Sequence, residues 1–498
     1  MGDEVNRAAL QRSDPQKYLH QLETGRDALE RMVNDGHMED NSPYTGVELE
    51  LNLINDTGGP SYNNDAILNR LETSGNEEAF YAAQPELGSF NMELNLPPRL
   101  LEGHGLTWYE SDMAAALAEV RHAANRHDTG LLPIGTIPTL YAEDIGPKAI
   151  SSAPRYRLLD EQILNARGDN IQLDVQGAES LTFSCDTIAP EAASTSIQFH
   201  LQVPASSFAH YWNIAQALCG LQLAVGANSP YLLGRQLWSE TRVILFEQGT
   251  DTRPAPMRAN GAIPRAWFGE KWIDTPVDLF DENYKHFAPL LPITDEEDPL
   301  GEVAAGNPPN LNALRLHNGT VYRWNRPVYD VMDNKPHLRI ENRVVPSGPS
   351  PIDMTANMAF YYGLLLYYGT VGEPIYHQLD FPSATANLHM ASRHGIHCDQ
   401  IWPSFGQLPA RYLILDHLLP LAEEGLRVLK VDTRDIERYL GVIDQRCRRG
   451  VNGATWQVAR TYVAEHRDRL SRANALKAMT CDYSKLAESG LPVHEWPV

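Results

Sequence analysis

The sequence predicts an α+β fold with a helical C-terminal region. Three observations carry that expectation. Segments such as Thr45–Ile54 (TGVELELNLI) alternate apolar and polar residues with the period of a strand. Helical periodicity dominates after Asp353. The order is strands first and helices last, with no internal repeat and no low-complexity segment.

Taken in order, residues 15–36 predict a helix, because Tyr18, Leu19, Leu22, Leu29 and Met32 recur at helical spacing. Residues 45–54 predict a strand with Val47, Leu49 and Leu51 on one face and Glu48, Glu50 and Asn52 on the other. Asp56-Thr57-Gly58-Gly59-Pro60 predicts a turn, and 65–72 a helix. Residues 84–96 predict a strand pair that Pro97 and Pro98 end. A long helix is expected over 105–129 and a strand over 131–140. Residues 180–203 predict a second strand pair, its later member being 194–203, followed by alanine-rich helices over 208–226. The stretch 250–312 is rich in Pro, Asp and Glu and predicts loops and short helices lying over the sheet. After the strand bearing Arg339, helices are expected over 354–368, 408–431, 432–448 and 453–471. The expected division is a main domain over 1–400 and a helical region over 401–498 packed on it.

With 498 residues, 43% hydrophobic and 21% charged, the chain has ample core for a globular protein. A net charge of -23 argues against nucleic-acid or anionic-membrane partners, which need basic patches. It leaves room for small anionic ligands at a locally positive site. Cys185, Cys219, Cys398, Cys447 and Cys481 are odd in number and contain no C-x-x-C pair. That fits a reducing, cytoplasmic setting and neither a disulfide framework nor a zinc ribbon. The polar N-terminal stretch shows no signal-peptide pattern, and the most apolar run, 358–369, is too short to span a bilayer.

The most informative motif is Leu338-Arg339-Ile340-Glu341-Asn342-Arg343. Alternation puts Arg339, Glu341 and Arg343 on one face. Unpaired charges make a poor core face but a good wall for a site holding a cation and anionic oxygens together. Glu48 and Glu50, Glu86 and Glu93, and His200 lie in three further segments of strand character. Taken alone, each has an ordinary explanation: a Glu-x-Glu strand is usually a solvated face, and a lone His a hydrogen-bonded core residue. The coincidence of four such segments favours a metal and phosphate site. Nucleotide loops of the G-x-x-x-x-G-K-[ST] and G-x-G-x-x-G kinds, a G-x-S-x-G elbow and H-E-x-x-H are all absent. The cluster Ser392–Cys398 (SRHGIHC) has no second ligand pair nearby and reads as loop or helix-end packing.

The ordered set GVELELNLI, PELGSFNMELNLPP, STSIQFHLQV, ANSPYLLGRQLWSETR and LRIENR resembles the bacterial glutamate–cysteine ligase type 2 (carboxylate–amine ligase) family of the glutamine synthetase-like superfamily. The resemblance spans about residues 46–368. It implies a curved antiparallel half-barrel with ATP entering one end and an amino acid the other, and makes 1–400 the catalytic domain. It further implies Mg²⁺ or Mn²⁺, with Glu50, Glu86 and Glu93 holding one ion and Glu48, His200 and Glu341 another. Arg339 and Arg343 would meet phosphate oxygens, Arg343 at the transferred phosphoryl group. Gln202, Arg242 and Arg265 are further nucleotide or anion contacts. The implied activity is activation of a carboxylate, usually the glutamate side chain, as an acyl phosphate that an amine then attacks.

Phosphoryl transfer needs positioning and charge neutralisation rather than a protein nucleophile, which agrees with the missing nucleophile motifs. Partners are then a small amino acid and an amine. Nothing reads as a cysteine pocket, so the amine stays open. Specificity or homo-oligomer assembly would reside in 250–312 and in the helices after Leu408. Competing readings are a phosphotransferase on the same scaffold, a silent nucleotide or amino-acid binding relative, and a metal-dependent hydrolase. Retention of all six Glu and His candidates disfavours the silent relative, and the arginine pair would be surplus in a hydrolase.

Overall fold

The computed structural model describes residues 15–39, 43–73, 81–293 and 296–498. The polar stretch 1–14, read above for a leader, and residues 294–295 of the 250–312 stretch lie outside them.

Strands of three or more residues are numbered in chain order. β1 (Thr45–Ile54), β2 (Ala82–Pro85), β3 (Asn91–Arg99) and β4 (Gly130–Leu132) come first. β5 (Ile171–Gln176) and β6 (Ser180–Cys185) follow, then β7 (Ile197–Val203), β8 (Asn325–Met332) and β9 (Lys335–Asn342). The main sheet runs β8-β9-β7-β1-β3-β2, with β4 added along the end of β1. Every pairing in it is antiparallel. The sheet curls into a half-barrel and helices pack around it.

Alternation decides which face is which. Val47, Leu49, Leu51 and Leu53 of β1, Phe199 and Leu201 of β7, and Leu338 and Ile340 of β9 are all buried on the convex side. Each such side chain contributes about 1.5–3 kcal/mol on burial. A slip of one residue would exchange them for carboxylates, so the register is strongly fixed. Helix Pro351–Leu366 lies beneath this face: Tyr361 stacks on Phe199 with ring centroids 6.2 Å apart, and the Tyr362 hydroxyl donates to the His200 carbonyl at 2.6 Å. That helix packs in turn against helices Gly105–Ala124, Leu419–Val428 and Thr433–Arg449. The concave face is roofed by side chains from helices Pro154–Arg167, Val277–His286 and Asn312–Gly319. Thus the 250–312 segment does lie over the sheet, and helix Pro15–Asn34 backs it from outside.

Several sequence expectations need correction. Pro97 and Pro98 do not end β3; they fall opposite Gly46 in a bulge, between the pairs Val47↔Leu96 and Thr45↔Arg99. A bulge needs no ladder donor there, so proline is tolerated. The strand expected over 131–140 is only Gly130–Leu132, since Pro133 stops it. β6 pairs with an unforeseen β5 as a separate hairpin and not with β7. The hairpin Asp399–Trp402/Gly406–Pro409 and helix Arg472–Ala487 were also unforeseen. All five cysteines are free, and Ser392–Cys398 ends a helix as expected. No helix among the described residues is long and apolar enough to cross a membrane.

The helical support is locked by a buried ion pair. Arg446 Nη2 meets Asp353 Oδ1 at 2.7 Å with both side chains at most 1% exposed. Arg446 Nη1 also donates to Asn357 Oδ1 at 2.7 Å. Arg446→Met would strand the Asp353 carboxylate, and should cost about 3–5 kcal/mol. Urea denaturation followed by circular dichroism checks this; an unchanged midpoint would refute the role.

Candidate active site

The register of β1 builds two clusters on the concave face. Glu50 stands directly opposite Glu93 on β3, and Glu86 follows β2 by one residue on the far side of β3. Glu86 is therefore a loop residue rather than a strand residue. Carboxylate oxygens of Glu50, Glu86 and Glu93 lie within 4.8 Å of one another. Glu50 is pinned: Oε2 accepts the Ser196 N–H at 2.5 Å and Oε1 accepts Gln198 Nε2 at 2.8 Å. Glu93 Oε1 accepts Asn95 Nδ2 at 2.6 Å.

On the other flank β7 sets Gly46 against His200 and Glu48 against Gln198, while β9 sets Glu341 against His200. Glu48, His200 and Glu341 consequently converge, again with one ligand atom each within 4.8 Å of the others. His200 Nε2 faces Glu48 Oε1 at 3.1 Å, and its Nδ1 accepts from Arg339 Nε at 3.2 Å. These are the two trios that the family resemblance implied.

Arg343 stands between them. Nη2 is 3.8 Å from Glu50 Oε1 and Nη1 is 3.4 Å from Glu341 Oε1. Burial disfavours its charge, but Glu341 and Glu50 more than compensate and hold the guanidinium firmly protonated. The acids respond to their surroundings in opposite directions. Burial and then Glu48, Glu86 and Glu50 push Glu93 well above the ordinary range. Burial and Glu86 also raise Glu50, against the pull of Arg343. Burial alone would raise Glu48 and Glu341 as well, but His200 draws the first down and Arg326 and Arg343 the second.

Arg339 lines the same cavity, where Asp330 Oδ2 takes its Nη1 at 3.2 Å. Gln202 pairs with Arg339 across β7 and β9 and is half-buried. Arg242 and Arg265 are committed elsewhere. Arg242 Nε meets Glu240 Oε1 at 2.8 Å and its Nη2 donates to the Val344 carbonyl. Arg265 donates to the carbonyls of Thr320 and Ala288. Both are buried, at 2% and 3% exposure.

Sequence reasoning missed three cavity residues. Arg326 Nη2 binds Glu341 Oε2 at 2.8 Å because β8 pairs with β9. A signal existed: Asp333-Asn334, both at positive φ, is the two-residue turn of a hairpin leading into the Arg339 strand. Glu191 and Tyr322 also line the cavity, which encloses about 250 Å³. No periodicity marks either residue.

The trios fit divalent cations. Like charges directly across a strand pair, as Glu50 and Glu93 are, destabilise a sheet. Glu341 Oε1 and His200 Nε2 are buried without a hydrogen bond of good geometry. Carboxylate oxygens with one imidazole are a donor set for Mg²⁺ or Mn²⁺.

The curled half-barrel matches the fold of glutamate–cysteine ligase, and the family match makes the protein an ATP-dependent carboxylate–amine ligase. The chain belongs to glutamate–cysteine ligase family 2 (GCS2), whose model matches residues 44–474. Its fold is similar to that of glutamate–cysteine ligase from Francisella tularensis, crystallised in complex with AMP. The TM-score is 0.53 at 11% identity, over 91% of this chain and 90% of that one. A bifunctional glutathione synthetase from Pasteurella multocida matches with a TM-score of 0.46 at 11% identity, over 93% of this chain and 55% of that one. The ligase PafA, in complex with Pup, matches with a TM-score of 0.40 at 10% identity, over 86% of this chain and 70% of that one. No curated protein matches the sequence.

Glu93→Gln should relieve the charge crowding in metal-free protein and stabilise it by about 1 kcal/mol. Millimolar Mg²⁺ or Mn²⁺ should raise the melting temperature of the native protein, and that of the variant much less. Differential scanning fluorimetry with and without a chelator measures both. A metal shift undiminished in Glu93→Gln would remove that residue from the ligand set.

Proposed function

We propose that the enzyme uses ATP and Mg²⁺ or Mn²⁺ to activate the side-chain carboxylate of glutamate as an acyl phosphate, which an amine then attacks to give an amide. One observation carries this reading: the Arg343 guanidinium lies between two separate acidic trios. A single cation site would serve a hydrolase; two flanking an arginine suit a phosphoryl group moving from one bound substrate to another. Membership of a glutamate–cysteine ligase family and the AMP bound to the Francisella tularensis relative support glutamate and ATP as substrates.

The roles are those that the family resemblance implies. Glu50, Glu86 and Glu93 would hold a cation beside the glutamate carboxylate, and Glu48, His200 and Glu341 another beside the ATP phosphates. When bound, such cations supply neutralisation of phosphate charge and orientation of the reacting oxygens. Arg343 spreads its fork toward the transferred phosphoryl oxygens, held there by Glu50 and Glu341. Arg339 and Arg326 balance charge along the phosphates. The glutamate oxygen bonds to the γ-phosphorus as the bond to ADP breaks. The amine nitrogen, after giving one proton to solvent, then bonds to the carbonyl carbon, and phosphate departs carrying that glutamate oxygen as the nitrogen gives up a second proton to leave the amide.

Glutamate labelled with ¹⁸O in its side-chain carboxylate should therefore pass one labelled oxygen to inorganic phosphate, with ADP as co-product. Mass spectrometry of phosphate and nucleotide tests this. AMP as product, or unlabelled phosphate, would overturn the mechanism. Arg343→Lys should lower kcat roughly a hundredfold while changing KM for ATP little, since a point charge cannot reproduce the planar fork. Normal kcat with weakened ATP binding would make Arg343 a ground-state phosphate contact.

A further inference from the structure

Glu191 is a buried acid that the acyl-phosphate chemistry leaves unused. It sits on the short helix Ala189–Ala192, is 8% exposed, and lines the catalytic cavity with Glu86, Tyr322 and Arg343. Its Oε2 is buried without a hydrogen-bond partner. The Tyr322 hydroxyl lies against the carboxyl. Arg343 is nearby, but its guanidinium is already divided between Glu50 and Glu341. Burial pushes the Glu191 carboxyl up to about 7, as befits a buried charge without its own cation.

A buried carboxylate is costly unless paired, and a cavity that opens onto one is shaped for a cation. The two trios account for the divalent ions, and neither includes Glu191. What the reaction still needs is a place for its second substrate. A primary amine is an ammonium ion at neutral pH, and it must wait beside the carboxylate being activated. Glu191 stands near Glu50 and Glu86, the trio on the glutamate side of Arg343. An ammonium group has several donors and no acceptor, so one carboxylate and one phenol oxygen can hold it. We propose that Glu191 and Tyr322 form the binding site for the cationic amine group of the second substrate, selecting amines that arrive as ammonium ions. This rests on the ligase reading given above and adds the class of substrate to it.

The test compares the native enzyme with Glu191→Gln, which keeps shape and loses charge. The probes are the best cationic amine from a panel of cysteine, glycine, alanine, ethylamine and ammonium, and hydroxylamine, which is uncharged at neutral pH. Glu191→Gln should raise KM for the cationic amine roughly tenfold to a hundredfold, the usual worth of a hydrogen bond to a charged group. KM for glutamate and ATP should stay within about twofold, and hydroxamate formation from hydroxylamine should persist. Tyr322→Phe should move the same parameter in the same direction by less, and it carries the comparison if Glu191→Gln fails to fold. An unchanged KM for the cationic amine, or an equal loss with hydroxylamine, would overturn the proposal. The ¹⁸O transfer in native enzyme, run with hydroxylamine, reports separately on the acyl phosphate. Its failure would sink that mechanism while the KM comparison still decides the role of Glu191.

Discussion

The pairing of β1 with its two neighbours is the constraint on which the site depends. Glu48 and Glu50 belong to one strand, yet each serves a different cluster, because β3 brings Glu93 to one and β7 brings His200 to the other. The first arrangement is not favourable in itself. Glu50 opposite Glu93 is a like-charge pair, and the sheet holds it only because the opposite face of the same strand buries Val47, Leu49, Leu51 and Leu53. Hydrophobic burial on the convex side thus fixes a register that electrostatics on the concave side would refuse.

That conflict explains where the fold is braced. Glu50 is held by Ser196 and Gln198 of the β7 segment, so the acid cannot swing away from Glu93. Helix Pro351–Leu366 reaches β7 through the Tyr362 hydroxyl on the His200 carbonyl, directly behind a candidate ligand. The Asp353–Arg446 pair ties that same helix to Thr433–Arg449. Strain at an acidic site is sustained by packing some distance from it, a common division of labour in enzymes.

Much of this was legible in the sequence, and the reasons are specific. β1 and β9 were readable because charge and apolar residues alternate without a break, and the spacing of Arg339, Glu341 and Arg343 declared a face. Convergence was not readable: no spacing says that Glu50 meets Glu93 rather than His200, and the grouping came from family resemblance. β5 is not legible because β6 lies in sequence next to β7 yet pairs with β5, and the end of β3 is not legible because two prolines read as a stop while they form a bulge. Glu191 lay beyond sequence reasoning altogether, since only burial and a shared cavity distinguish it from any loop acid. For Arg242 and Arg265 the sequence did not show their partners, Glu240 and backbone carbonyls.

Three buried arginines elsewhere in the described residues follow a simple rule. Arg446 has Asp353, Arg323 has Glu282 and Arg242 has Glu240, each an acid matched by one base. The Glu50 side of the cavity breaks that rule, for Glu50, Glu86, Glu93 and Glu191 share a neighbourhood whose cations are Arg343 and, toward Glu50, Arg242. Desolvation makes such an excess expensive, and folding alone gives no reason to keep it. A divalent ion on the trio and an ammonium group on Glu191 would restore the balance together. On the proposed reading the acid excess would be a template for two cations of different kinds, one supplied by solution and one by the substrate, flanking the carboxylate that links them.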